Sequence, residues 1–146
     1  MSTTTATTAA AEEIRRMLAD LYDAFSTGDA DPWAARLSVE HTPHGIGTDP
    51  QEFWSGRDQL TAVINAQISE MSAAGISFQG GSPLIDVRGD VAWIADQPTL
   101  RTGDGTAVPM RLTVVLTNED DAWRMVSFHL SVGVPNETLL DATLTT

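Results

Sequence analysis

The chain has 146 residues, 42% of them apolar, which suffices for one domain to bury its own core without disulfides or metal. Twenty acidic residues against eight basic ones, all of them Arg, give a net charge of −12, a surface that repels phosphate backbones and anionic headgroups; the expectation is no nucleic acid and no membrane among its partners. The absence of cysteine excludes disulfides, thiol nucleophiles and Cys-rich zinc or iron–sulfur sites.

The first residues, Met1 to Thr8, are Thr-rich and without periodicity, and are expected to form a disordered tail; the stretch to Ala11 has neither a basic start nor an apolar segment, so a cytoplasmic location is expected. No apolar run approaches the ~18 to 20 residues of a spanning helix. From Glu12, the residues Ile14, Leu18, Leu21, Tyr22 and Phe25 recur at helical spacing, and Gly28 suits the left-handed turn that ends a helix. Asp31-Pro32-Trp33 opens a short second helix, with Pro at its first position. The segment from Glu40 to Pro50 mixes Pro, Gly and His and is expected to hold one short strand. A helical turn is expected through Phe53 and Trp54, followed after Ser55-Gly56-Arg57-Asp58 by a long helix striped with Leu60, Val63, Ile64, Ile68 and Met71, ending before Gly75.

From Ile76 the periodicity changes from 3.6 to 2. Four strand runs, Ile76 to Arg88, Val91 to Arg101, Val108 to Thr117 and Ala122 to Gly133, are separated by turn-forming residues, and Gly80, Gly81 and Pro83 mark a bend in the first. Helices first and a strand meander afterwards indicate an α+β domain over residues 9–133, its helices packed on one face of a curved antiparallel sheet. Residues 134–146 form a C-terminal arm, either loose, briefly helical or in contact with a partner.

This order, together with Leu21-Tyr22-Asp23-Ala24-Phe25-Ser26-Thr27-Gly28-Asp29, Phe53-Trp54-Ser55-Gly56-Arg57-Asp58, and Arg111 to Leu116 followed by Trp123 to Ser131, resembles the nuclear-transport-factor-2-like superfamily, and within it the SnoaL-like domains. The resemblance covers roughly residues 10 to 133. It implies a cone-shaped, cystatin-like roll with an apolar cavity between sheet and helices, usually in a homodimer formed through the sheet. The superfold hosts isomerases, cyclases, hydrolases, dehydratases and binding modules, so function rests on the residues at the cavity.

Ketosteroid-isomerase-like chemistry needs a carboxylate base and an oxyanion hole made by a Tyr and a protonated acid. Leu21 stands where that Tyr is expected, Tyr22 is turned from it by about 100°, and the acid falls at Leu112 or Thr113, so two of the three roles are missing. The superfamily's epoxide hydrolases pair Arg with Asp two residues on; here the strand reads Arg111-Leu112-Thr113, and Thr cannot supply the acid's proton. Polyketide-cyclase-like chemistry asks only for an acid–base group above an apolar pocket, for which His44, Asp49, Asp96 and His129 are the candidates. His41 and His44 lack further ligands at a defined spacing, so no metal and no other cofactor is expected.

Arg111, in an apolar strand, either pairs with Asp96 or Asp86 or reaches the pocket; Asp96 is correspondingly an ion-pair partner or a proton carrier. Tyr22, Trp33, Trp54, Trp93 and Arg111 are the candidate ligand-binding residues, and Trp123 reads as a sheet-packing residue. The leading expectation is a homodimeric domain whose cavity binds a small apolar or aromatic molecule. One alternative is a cofactor-independent isomerase, cyclase or lyase using His/Asp acid–base chemistry; another is a structural dimerisation module. Alternation alone leaves open which face of each strand lines the cavity.

Overall fold

The computed structural model describes residues 3–146. In chain order the elements are α1 (Thr3–Thr27), α2 (Asp31–Ala35), β1 (His44–Ile46), β2 (Phe53–Ser55), α3 (Arg57–Ala73), β3 (Ser77–Gln79), β4 (Leu84–Arg88), β5 (Val91–Asp96), β6 (Thr99–Arg101), β7 (Ala107–Pro109), β8 (Arg111–Glu119), β9 (Ala122–Ser131) and α4 (Asn136–Leu140). Among the described residues no helix is long and apolar enough to cross a membrane.

α1 begins at Thr3, upstream of the expected boundary at residue 9; Met1 and Ser2 lie outside the described residues. Thr3 to Ala11 contains no Gly or Pro, and its four Ala, three of them next to the amphipathic part, let a helix nucleated there extend backwards through the weaker helix-forming Thr at one hydrogen bond per residue. Its stripe of Ile14, Met17, Leu18, Leu21, Tyr22 and Phe25 is wholly buried. It stops where Gly28 takes φ +81°. α2 starts at Asp31, whose N–H donates to Asp29 Oδ1 (3.2 Å).

Phe53 and Trp54 lie in a strand, not the expected helical turn. They pair antiparallel with β1, Ile46 opposite Phe53 and Gly45 opposite Trp54, and Gly56 at φ +98° prevents one helix from running through into α3. α3 buries Leu60, Ile64 and Ile68.

Six strands form one sheet in the order β2-β1-β9-β8-β5-β4, and three form a smaller one, β3-β6-β7. Every pair is antiparallel except β1–β9, which is parallel, so the sheet is mixed where a purely antiparallel one was expected. β1 reaches the side of the last strand by a long connection, and no hairpin dictates its direction. The long strand runs are cut at one level: at Gly80 to Pro83 between β3 and β4, at Gln97-Pro98 between β5 and β6, and at Met110, whose N–H donates to the Pro98 carbonyl (2.9 Å), between β7 and β8. At this line the sheet bends over α1, giving the cone-like α+β roll.

Leu112, Val114 and Leu116 of β8 and Ala92 and Ile94 of β5 point inward to the helices, and the residues between them point out. On β9 a bulge at Val126 shifts the ladder between the Val115–Ser127 and Leu116–Met125 pairs. Trp123 and Met125 are inward before it and Phe128 and Leu130 after it, opposite Val114 and Leu112.

Candidate functional site

Between α1, α3, the β1–β2 hairpin and the inner face of β8 and β9 lies a cavity of about 340 Å³. Its deep wall is apolar: Phe25 from α1, Ile64 and Ile68 from α3 and Leu112 from β8 are all buried. Aromatic rings form much of the rest, from Tyr22, Trp33, Trp54, Phe78 and Phe128. Phe78 stacks on Tyr22 (5.9 Å between centroids) and meets Phe25 edge-on (4.5 Å), which fixes this corner. Trp33 is anchored by its indole N–H, donated to the Leu21 carbonyl (2.7 Å). Phe128 occupies the space over Gly45, where a Cβ would run into the ring.

Behind the aromatic corner Tyr22 donates its hydroxyl to Asp96 Oδ2 (2.8 Å). Asp96 is 5% exposed and also accepts the N–H of Gln97 on Oδ1 (2.8 Å) and of Gly81 on Oδ2 (3.3 Å). The Gly80–Gly81 bend presses against this pair: a Cβ on Gly80 would lie 3.0 Å from the Tyr22 ring, and one on Gly81 2.7 Å from Asp96 Oδ1. Burial, the hydrogen bond to Asp96 and the negative charge there together push the Tyr22 hydroxyl far up, so it stays protonated. Its proton is committed to Asp96, and toward the cavity the phenol oxygen can offer only lone pairs.

The opening is polar. Of the lining residues, Thr48 and Glu70 are exposed, and Gly47, Glu52 and Gln67 adjoin them on the β1–β2 loop and α3. Glu52 Oε1 accepts the Asp49 N–H (2.8 Å), Oε2 accepts the Gln67 amide (2.5 Å), and the side chain lies across Gly47, where a Cβ would sit 2.7 Å from Oε1. The Gly47 N–H donates to the Glu52 carbonyl (2.9 Å), closing the loop. A carboxylate is thus held in one place at the mouth of an apolar cavity.

A model of the SnoaL-like domain matches residues 14–135. The chain belongs to the SnoaL-like family. No curated protein matches it. Among solved structures, the SnoaL-like domain is similar to a nuclear-transport-factor-2-like protein of unknown function from Pseudomonas putida, with TM-score 0.78 and 21% identity over 90% of this chain and 92% of that one. It is also similar to a provisionally assigned dehydratase of the nuclear-transport-factor-2-like family from Streptomyces avermitilis, with TM-score 0.76 and 17% identity over 86% and 97%. A third, a nuclear-transport-factor-2-like protein with a cystatin-like fold from Novosphingobium aromaticivorans, has TM-score 0.72 and 18% identity over 88% and 87%. At these identities the likeness is one of fold.

In this SnoaL-like domain the residues singled out from sequence separate into two sets. Tyr22, Trp33 and Trp54 line the cavity; although Tyr22 follows the position expected for an oxyanion Tyr, its ring reaches the lining. Trp93, Arg111, His129 and His44 are on the other face of the sheet and exposed, a correction to their expected place at the pocket. His129 lies opposite Thr113, and His44 is in register with Ser127. For His129 the reason is the Val126 bulge: on an unbroken strand it would share the face of the buried Met125, but the extra residue reverses the phase. Arg111 bonds neither Asp96 nor Asp86; its Nε donates to Ser131 Oγ (3.2 Å). Asp49 is exposed and shapes the turn, Oδ1 accepting the Gln51 N–H (2.9 Å), so it positions Glu52 and does not line the cavity. Trp123 packs in the core, as its sequence context indicates.

Sequence reasoning passed over Glu52, Gln67, Phe78 and Phe128. Gln67 had a signal, a polar residue three after Ile64 in the apolar stripe of α3. Glu52 had a local signal in the spacing Asp49-Pro50-Gln51-Glu52, but nothing local pointed to Gln67, which comes from another element.

Glu40, His41 and Glu119 bring ligand-type atoms within 4.8 Å of one another. Glu119, 1% exposed, already accepts Ser38 Oγ (2.6 Å), Thr117 Oγ1 (2.6 Å) and the N–H groups of Val39 (2.9 Å) and Glu40 (3.1 Å). Burial by itself raises this carboxyl, and the four donors more than offset it, holding it at about 2. Its acceptor capacity is spent on the loop after α2, which makes it a structural cap.

Proposed function

We propose that this SnoaL-like domain binds a small apolar or aromatic molecule in the cavity, as a homodimer formed through the outer face of its sheet. The observation that carries the first part is a cavity of about 340 Å³ walled by aromatic and aliphatic side chains with its polar groups gathered at the mouth. Support for the second is the large apolar residues on the outer face: Leu84 is 72% exposed and Trp93 44%, with Val91 and Val115 on the same side of the sheet, and Phe53, 69% exposed, stands at its opposite edge. The other face of the same sheet is covered by helices, so a second copy is the natural cover for this one.

The acid–base enzyme reading is less well supported. His44 and His129 face away from the cavity, and Asp96 is satisfied by three donors behind Tyr22. A proton-moving group at the cavity would have to be Glu52 or Glu70.

The binding reading is tested by titrating 2-naphthylmethanol into the protein while following tryptophan fluorescence, since Trp33 and Trp54 both line the cavity. We expect saturable quenching that is abolished by Ile64→Trp, which fills the deep wall. Absence of saturable binding by this alcohol and by its ammonium and carboxylate counterparts alike, or binding unaffected by that variant, overturns it.

A further inference from the structure

We infer that the cavity's occupant is an organic cation: an apolar or aromatic body carrying a protonated amine, with the ammonium group on Glu52 at the mouth and the body among the aromatic rings. This rests on the binding reading above and names the ligand's charge. The lining carries two carboxylates, Glu52 and Glu70, and no Arg or His. Among the described residues neither carboxylate has an ion-pair partner, and six of the eight Arg are engaged elsewhere. Arg15, Arg36, Arg57 and Arg124 donate to the backbone carbonyls of Pro83, Trp123, Leu37 and Ala35, and Arg101 and Arg111 donate to Gln79 and Ser131.

Glu52 is not a freely waving surface acid. The Asp49 N–H and the Gln67 amide grip its two oxygens, and Gly47 leaves the space it occupies. Both partners are neutral donors, so neither is a counter-charge, and the carboxylate has remaining lone pairs at the rim of a low-dielectric cavity. Filling the cavity with a neutral molecule strips water from that charge without replacing it, and an anion adds repulsion. An ammonium group supplies a charge-assisted hydrogen bond to Glu52, and aromatic rings such as the lining Trp33, Trp54 and Phe128 favour positive charge over their faces. The net charge of −12 raises the local concentration of cations in the same sense.

The test uses three probes of nearly one shape: 2-naphthylmethylammonium, 2-naphthylmethanol and 2-naphthoate, titrated calorimetrically into the intact protein at pH 7 and low salt. The ammonium is expected to bind about tenfold more tightly than the alcohol, and the carboxylate most weakly. Glu52→Gln should abolish the preference, the ammonium then binding no more tightly than the alcohol in the same variant. The inference is overturned if the alcohol equals or exceeds the ammonium, or if the preference survives in Glu52→Gln; the comparison among probes stands on the unmodified protein even if that variant folds poorly. If none of the three binds, the cavity reading itself falls; if the alcohol binds and the ammonium gains nothing, only the charge assignment does.

Discussion

The two faces of the large sheet are built from the same strands, residue by residue, and they have opposite chemistry. Inward, Ile94, Leu112, Val114, Leu116 and Met125 pack against α1 and α3, and the polar groups admitted, such as Asp96, have their acceptors filled by donors from neighbouring segments. Outward, Trp93, Val115 and Leu84 are mixed with Arg111, Thr113 and His129, a surface that tolerates both charge and exposed apolar area. The difference teaches that a side chain's identity decides little about its role here until its face is known. A Trp on α2 lines a ligand-sized cavity, whereas a Trp on β5 faces the opposite way.

The sharpest way to break this comparison is to truncate neighbours on one strand. Leu116→Ala, at a fully buried position, should cost about 3 kcal/mol, and Val115→Ala, next to it on the outer face, less than about 1 kcal/mol, both read by urea unfolding at a concentration low enough to keep the chain monomeric. Similar costs at the two positions would mean the faces are not distinguished as described.

Next in size is the buried carboxylate that caps the loop after α2. Glu119→Gln places an amide where four donors converge and should cost about 2 kcal/mol at neutral pH. Because the folded protein holds this group at about 2, below its ordinary 4.5, its stabilisation is complete above the unfolded value and is lost as the pH falls through that interval toward the folded one. The stability gap between parent and variant should therefore close between those two values; a gap constant with pH would remove the charge from the explanation.

The smallest effect probes the bulge. His129→Ala should change stability by under about 0.5 kcal/mol and leave 2-naphthylmethanol binding unaltered, while Phe128→Ala, one residue away and lining the cavity, should weaken that binding several-fold. If His129→Ala were the damaging one of the two, the phase assigned to β9 would be wrong.

Most of the element order was legible in the chain. The stripe on α1, the stop at Gly28, the long helix after Gly56 and the hairpins of the meander all follow from local spacing and turn residues, because each depends on neighbours a few positions apart. The family followed from their order. The N-terminal extension of α1 and the strand at Phe53 and Trp54 were not legible, since helix propagation and ladder pairing outweighed local composition at both places.

The candidate site was legible only in part. That Tyr22, Trp33 and Trp54 are large aromatics suited to a pocket is a property of the residues, and the sequence by itself determined it together with the α+β class and the excess of negative charge. The inward face of β9 was decided by one extra residue at Val126, whose effect on His129 exists only once β8 is alongside to set the register. The charged mouth was decided in the same way: Glu52 becomes a fixed carboxylate because Gly47 leaves it room and Gln67, from another element, holds it, and contacts between elements are made by the tertiary fold alone.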